Sequence, residues 1–246
     1  MKLLNHISIA LLLTLFTLPV FAASGHYYAA GSLGVSDANI SHGNVQYTFA
    51  GGDFTDFYAV NGTNAINLAA SIKGGYEWAN AGKMPSIALG LGFYTTPTGY
   101  DYNGLVSEAP IGDPTYLLYH YNYNINSMRL MLEAQLIWQF NQFMPFINAG
   151  VGPAWNRLNG YSEMPVNNTG FTALPPFATS TTTNLAYQVG VGVGHEFRNH
   201  DRVAVEYHFV YLGNHSFGSR GATYPYQLSL GRLTANDVFL TYTHII

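Results

Sequence analysis

The strongest constraint on this chain is a period of two. Over 64–78 the even positions read Ile66, Leu68, Ala70, Ile72, Gly74, Tyr76 and Trp78. The odd positions read Ala65, Asn67, Ala69, Ser71, Lys73, Gly75 and Glu77. Only a strand sends successive side chains to opposite faces, so this segment has one apolar face and one small, polar one. The rhythm returns at 86–93, 128–138, 184–194, 202–211 and 237–246, and more loosely at 27–35 and 146–155. That makes eight strands. Their connections alternate in length: short at 80–83, 141–145 and 198–201, long at about 37–63, 97–119, 157–182 and 212–233. Short and long links in turn predict an antiparallel up-and-down meander with the long loops at one end.

The two faces decide what such a sheet can dissolve in. Charged residues are only 9% of the chain, against roughly 25% in a soluble domain, while aromatics reach 15%. A water-soluble barrel keeps its large apolar side chains inside and its charges outside. Here glycine, alanine, serine, amides and a few charges share one face, and that face cannot build a dry core. The apolar face carries aromatics at both ends: Trp78, Trp138 and Phe140 near the short turns, Trp155, Tyr187 and Tyr211 near the long loops. Such rings settle at lipid–water boundaries. In lipid every backbone group must be paired, so the sheet must close on itself. The expectation is an all-β, eight-stranded antiparallel up-and-down transmembrane β-barrel with a polar lumen and four long extracellular loops.

Composition excludes other classes. No cysteine means no disulfide framework, thiolate metal site or thiol nucleophile. A net charge of −4 leaves no electrostatic footprint for nucleic acid. The first residues read as a secretory leader: Lys2, the apolar stretch 7–18, and small residues before Ala22. The expected division is a signal peptide over 1–22 and a barrel domain over 23–246.

With these features the chain resembles the small outer-membrane β-barrel superfamily of Gram-negative bacteria, the opacity-protein-like and OmpA-transmembrane-like barrels with OmpW-like relatives. The leader, the alternation and the terminal strand 237–246 carry the resemblance. Val238, Leu240 and Tyr242 match the alternating terminal pattern, and His244 and Ile246 depart from it. The resemblance implies a cell outer membrane location with periplasmic termini, and outer-membrane lipid and lipopolysaccharide as surroundings. It also implies recognition of the C-terminal strand by the barrel assembly machinery.

Two sets of residues are candidates for function. On the lumen parity lie Lys73, Glu77, Arg129, Glu133, Glu206 and Asp237, expected to pair as a network that plugs the barrel, since an unpaired buried charge costs several kcal/mol. In the loops, Asp101, Tyr102, Tyr116 and Tyr119 stand for an acidic, tyrosine-rich surface of the kind that binds partners, such as a host or cell-surface ligand. Histidine spacing makes no metal site, and no Ser/His/acid constellation or cofactor motif is present. The expected role is structural and surface-interactive, adhesin-like and non-catalytic. The alternatives are a narrow porin-like channel for small solutes and a lipid-modifying outer-membrane enzyme.

Overall fold

A computed structural model describes residues 25–41, 45–48, 54–64, 66–79, 84–110, 116–166, 175–198, 200–221 and 227–246. The leader expected over 1–22 lies outside them. The strands are β1 (Gly25–Ser41), β2 (Val45–Thr48), β3 (Phe54–Asn64), β4 (Ile66–Trp78), β5 (Ser86–Thr95), β6 (Tyr100–Pro110), β7 (Tyr116–Ile137), β8 (Phe143–Pro165), β9 (Ser180–Arg198), β10 (Asp201–Ser219) and β11 (Gln227–Ile245). Every pairing between them is antiparallel.

Eight of these strands close a ring in the order β1-β4-β5-β7-β8-β9-β10-β11, and β11 returns to β1 through Leu33↔Leu240 and its neighbours. The eight segments read from the sequence all lie in this ring. The remaining strands rise from it. β3 and β6 carry β4 and β5 onward and pair with each other, β6 continues along β7, and β2 adds to β3. A tight turn at Asn141 joins β7 to β8, and Asn141 takes a φ of 58°, in the left-handed region that asparagine tolerates.

The long connections are shorter than the sequence suggested. Much of 37–63, 97–119, 157–182 and 212–233 is strand, and β7 to β11 run for 19 to 23 residues. A membrane crossing needs only about 9–11, so each of these strands continues roughly as far again beyond it. What changes along the way is the sign of the alternation. In β7 the outward residues at the turn end are apolar (Met128, Leu130, Leu132), while the inward ones include Ser127, Arg129 and Glu133. At the loop end His120, Asn122, Asn124 and Asn126 face outward, and Tyr119, Tyr121, Tyr123 and Ile125 face inward. The barrel is therefore inside-out in its lower half, with an apolar outer belt, and the right way round in its upper half.

Candidate functional site: a lumen closed in layers

The lumen is filled from one end to the other, and each layer has its own chemistry. Nearest the short turns, Ala88, Ile137, Met144 and Phe146 form a small apolar cluster. Beside them Arg202 Nη1 donates to Glu77 at 2.5 Å, and its Nε lies 3.7 Å from Glu196. Above sits a cavity with about 60 Å³ of water-accessible space, lined among others by Tyr28, Lys73, Glu133, Asn148 and Glu206. At roughly 15 Å³ per water it has room for a few molecules and no more.

Lys73 closes this cavity on one side, donating to both carboxylate oxygens of Glu206 at 2.8 Å. Buried His208 approaches the same carboxylate through Nε2 at 3.0 Å. A carboxylate only accepts, so this nitrogen carries the proton. The Asn148 side chain lies 3.1 Å from it. The atom facing it is the amide nitrogen Nδ2, and the Asn148 carbonyl oxygen is buried without a hydrogen-bond partner.

A second ionic layer crosses the lumen higher up. Arg129 Nη2 donates to Asp237 at 2.5 Å and its Nε to Gln188 at 3.3 Å, while the guanidinium lies 4.3 Å over the Tyr94 ring. Ser36 donates to the other oxygen of Asp237 and lies 2.6 Å from the Tyr100 hydroxyl. Glu133 accepts from the Tyr94 hydroxyl and, at 2.7 Å, from the side-chain amide nitrogen Nε2 of Gln188. These ions have partners on every side, which is the condition for keeping charge in a lumen.

Five of the six residues expected to form the network sit in ion pairs: Lys73 with Glu206, Arg129 with Asp237, and Glu77 with Arg202. The sixth, Glu133, is a correction. It is held by neutral hydroxyl and amide donors, with no salt bridge among the described residues. Tyr94, Gln188, Ser36, Tyr100 and His208 complete the network. Gln188 and His208 lie on the lumen parity of β9 and β10, but formal charge does not mark them out in the sequence.

The glycines on the lumen face leave little space. A Cβ on Gly192 would sit 2.2 Å from the Phe146 ring, one on Gly90 2.3 Å from the Tyr28 hydroxyl, and one on Gly190 2.4 Å from the His208 ring. Gly192 and Gly190 each receive a side chain from the adjacent strand, β8 and β10, and Gly90 receives Tyr28 from β1, two strands away. At these three positions the space a glycine leaves is taken by a side chain, while Gly194 borders the cavity.

Above the ions, Ser127 and Asn156 bond each other at 2.9 Å, and Asn156 reaches the Leu212 carbonyl at 2.8 Å. Beyond them the lumen becomes an aromatic core. Tyr102 stacks on Tyr123 at 5.4 Å, and Tyr121 stacks on Tyr123 and on Tyr161, each at 6.0 Å. Phe217 meets Tyr123, Tyr161 and Phe177 between 5.1 and 5.9 Å. Arg220 caps the stack. Its guanidinium lies 4.0 Å over Phe177, bonds Glu163 through both Nη atoms, and donates to the Tyr58 hydroxyl at 2.8 Å. Burial works against this charge, but the Glu163 hydrogen bonds and the neighbouring phenols more than offset it and hold Arg220 above its ordinary value. Burial pushes the Tyr58, Tyr121 and Tyr161 hydroxyls up as well, so they stay neutral.

This core corrects the loop candidates. Tyr102 (1% exposed) and Tyr119 (7% exposed) point into the barrel, and Tyr102 donates to the Ala38 carbonyl. Asp101 does face outward and accepts from Asn124 at 2.8 Å. The side chain of Tyr116 lies outside the described residues. Trp78, Trp138, Phe140, Trp155, Tyr187 and Tyr211 have the outward placement their parity implied, and Tyr187 stacks on Tyr211 at 4.7 Å. Among the described residues no group of three or more His, Cys, Asp or Glu side chains could hold a metal ion.

A closed ring with an apolar belt and a packed lumen defines a class, the β-barrels that cross membranes with strands. The family is defined by sequence: the model of the outer membrane protein beta-barrel domain matches residues 8–231, and the chain belongs to that family. It is an outer-membrane β-barrel protein of the Gram-negative type. Among solved structures it is similar to Neisserial surface protein A at 9% identity, covering 91% of this chain and 99% of that one, with a TM-score of 0.48. It is also similar to OprG from Pseudomonas aeruginosa at 12% identity, covering 91% and 97%, with a TM-score of 0.46. No curated protein matches the chain in sequence.

Proposed function

We propose that this protein is a sealed barrel that works through its outer surface, as a structural and surface-interacting component of the outer membrane rather than as a transporter or a catalyst. The short turns and both termini face the periplasm, and the polar-coated upper half stands outside the cell, where it meets host or cell-surface ligands. The C-terminal strand is the part that the assembly machinery reads. The observation that carries this reading is the filling of the lumen over its whole height: two ionic layers below and an aromatic core capped by Arg220 and Glu163 above. A solute would have to separate Arg129 from Asp237, and breaking one buried pair costs about 3–5 kcal/mol.

A channel reading has one observation in its favour, the polar cavity beside Lys73 and Glu133. Single-channel recording of the refolded mature protein in a planar bilayer separates the two, with heat-shifted gel mobility as the folding control. A folded, silent barrel is the expected result. Steady discrete openings would overturn the surface reading and make the lumen the functional site.

A further inference from the structure

We infer that the lumen cavity beside Glu133 binds one small monovalent cation of sodium size, held by the Glu133 carboxylate with amide and phenol oxygens around it. The inference goes beyond the sealed-barrel reading and does not depend on it, since the ion needs only the cavity. It starts from an imbalance of charge. Lys73, Arg129 and Arg202 each answer one buried acid: Glu206, Asp237 and Glu77 in turn. Glu196 shares Arg202 at the end nearest the short turns. Glu133 is only 9% exposed and has neutral donors alone. One interior negative charge is therefore answered by no cation among the described residues, a state that low-dielectric surroundings penalise strongly.

The oxygens that suit such an ion converge on the same space. Both donors to Glu133, the Tyr94 hydroxyl and the Gln188 amide, reach Oε1, and among the described residues none reaches Oε2. Glu133 lines the cavity together with Gln135, Asn148 and Tyr28. Gln135 is the next inward residue on β7 and pairs in register with Asn148, whose carbonyl oxygen is buried without a hydrogen-bond partner. Tyr28 arrives from β1 across Gly75 and Gly90. Its hydroxyl takes the place a Cβ on Gly90 would fill, and Gly90 pairs in register with Glu133. A carboxylate, amide carbonyls and a phenol oxygen are hard ligands of the kind that alkali and alkaline-earth cations take. Charge selects between those two groups. A monovalent ion cancels the excess, whereas a divalent one would leave a new positive charge beside Lys73 and Arg202, which line the same cavity. Volume selects as well: about 60 Å³ admits a small ion with a few waters and excludes a bulky organic cation.

Urea unfolding of the refolded mature barrel in zwitterionic detergent micelles tests the inference, with sodium chloride exchanged for choline chloride at constant ionic strength. Taking sodium from about 1 to about 100 mM should lower the wild-type unfolding constant about tenfold, the change expected of a site with a Kd of about 10 mM. Glu133→Gln keeps the shape and an acceptor at this position and should abolish the response. Gln135→Leu leaves the Tyr94 and Gln188 bonds to Glu133 in place and should weaken the response several-fold. Glu196→Gln, which removes a carboxylate outside the proposed ligand set, should leave it within about twofold. If Glu133→Gln does not fold, the comparison of wild type with Gln135→Leu decides. Equal stability in sodium and choline, or a full sodium response in Glu133→Gln or Gln135→Leu, overturns the site. A carboxylic-acid infrared band at neutral pH that disappears in Glu133→Gln would mean that a proton carries the missing charge, and overturns the cation. Because the readout is stability and not conductance, an empty cavity and an open lumen are told apart.

Discussion

The two halves of β7 obey opposite rules within one strand. Below Ser127 the side chains that touch the outside are Met128, Leu130 and Leu132, and the lumen holds Arg129 and Glu133. Above it the outside is His120, Asn122 and Asn124, and the lumen holds Tyr119, Tyr121 and Tyr123. Nothing in the backbone changes at the boundary, and the ladder to β8 carries on through Met128↔Trp155 and Asn126↔Arg157. What changes is the solvent. The lower half is wrapped in lipid, where the hydrophobic effect gives no reason to hide apolar groups, so polar groups are gathered inside and satisfied by one another. The upper half stands in water, and the ordinary preference for an apolar interior returns. One barrel is thus closed twice, by hydrogen-bonded ions and by aromatic packing.

Substitutions inside the two halves should fail for different reasons. The largest effects are expected where each plug is anchored. Asp237→Ala leaves Arg129 buried without its partner and should cost about 3–5 kcal/mol. In the upper half Phe217→Ala should cost a similar ~3–5 kcal/mol through the cavity it leaves among Tyr123, Tyr161 and Phe177. Urea unfolding in lipid vesicles measures both. A double variant that also replaces Arg129 with Met should recover much of the Asp237→Ala loss, and no such rescue should exist for Phe217→Ala.

The outer faces should differ next. Leu132→Arg places a charge in the apolar belt and should cost about 2–4 kcal/mol. Asn122→Arg, ten residues up the same face, should stay within about 0.5 kcal/mol. Equal effects would mean that the belt reaches higher than the polarity of the strand implies. Smaller again is Gly192→Val, whose branched side chain must displace the Phe146 ring, at about 1–3 kcal/mol.

The smallest effect is one of pH. Burial raises the Tyr58, Tyr121 and Tyr161 hydroxyls above their ordinary value of 10.0. Above that pH the unfolded chain loses protons that the folded chain keeps, so stability should be flat up to about pH 9 and fall as pH rises past 10. Near-ultraviolet circular dichroism across pH 7–12 follows the upper half directly. In a Tyr58→Phe variant the alkaline fall should be shallower.

The lower half was legible in the sequence because lipid writes a simple code. Large apolar residues alternate with small or charged ones, and Lys73, Arg129, Glu206 and Asp237 stand out against a chain with only 9% charge. The upper half obeys the same period of two, as Tyr121-Asn122-Tyr123-Asn124-Ile125-Asn126 shows. Its tyrosines and asparagines look like loop composition, because both are polar enough for water and asparagine is common in turns. That ambiguity turned strand into loop, and turned Tyr102 and Tyr119 from core into surface. Glu133 departs from the ion-pair expectation for another reason. Parity places it in the lumen, but whether a cation or a set of neutral donors satisfies it depends on how Tyr94 and Gln188 reach across from β5 and β9. Spacing along one strand holds no such information.

The absence of cysteine makes a direct test of the inversion simple. Single substitutions along β7 (Tyr121→Cys, Asn122→Cys, Tyr123→Cys, Asn124→Cys, Leu130→Cys and Leu132→Cys) would be reacted with a water-soluble maleimide in vesicle-embedded barrels. Asn122→Cys and Asn124→Cys are expected to label, while Tyr121→Cys and Tyr123→Cys stay protected inside the aromatic core. Leu130→Cys and Leu132→Cys should resist the aqueous reagent and yield to a lipid-soluble one. Rapid aqueous labelling of Tyr121→Cys and Tyr123→Cys in a folded barrel would mean an open, wet upper lumen and would contradict the double closure.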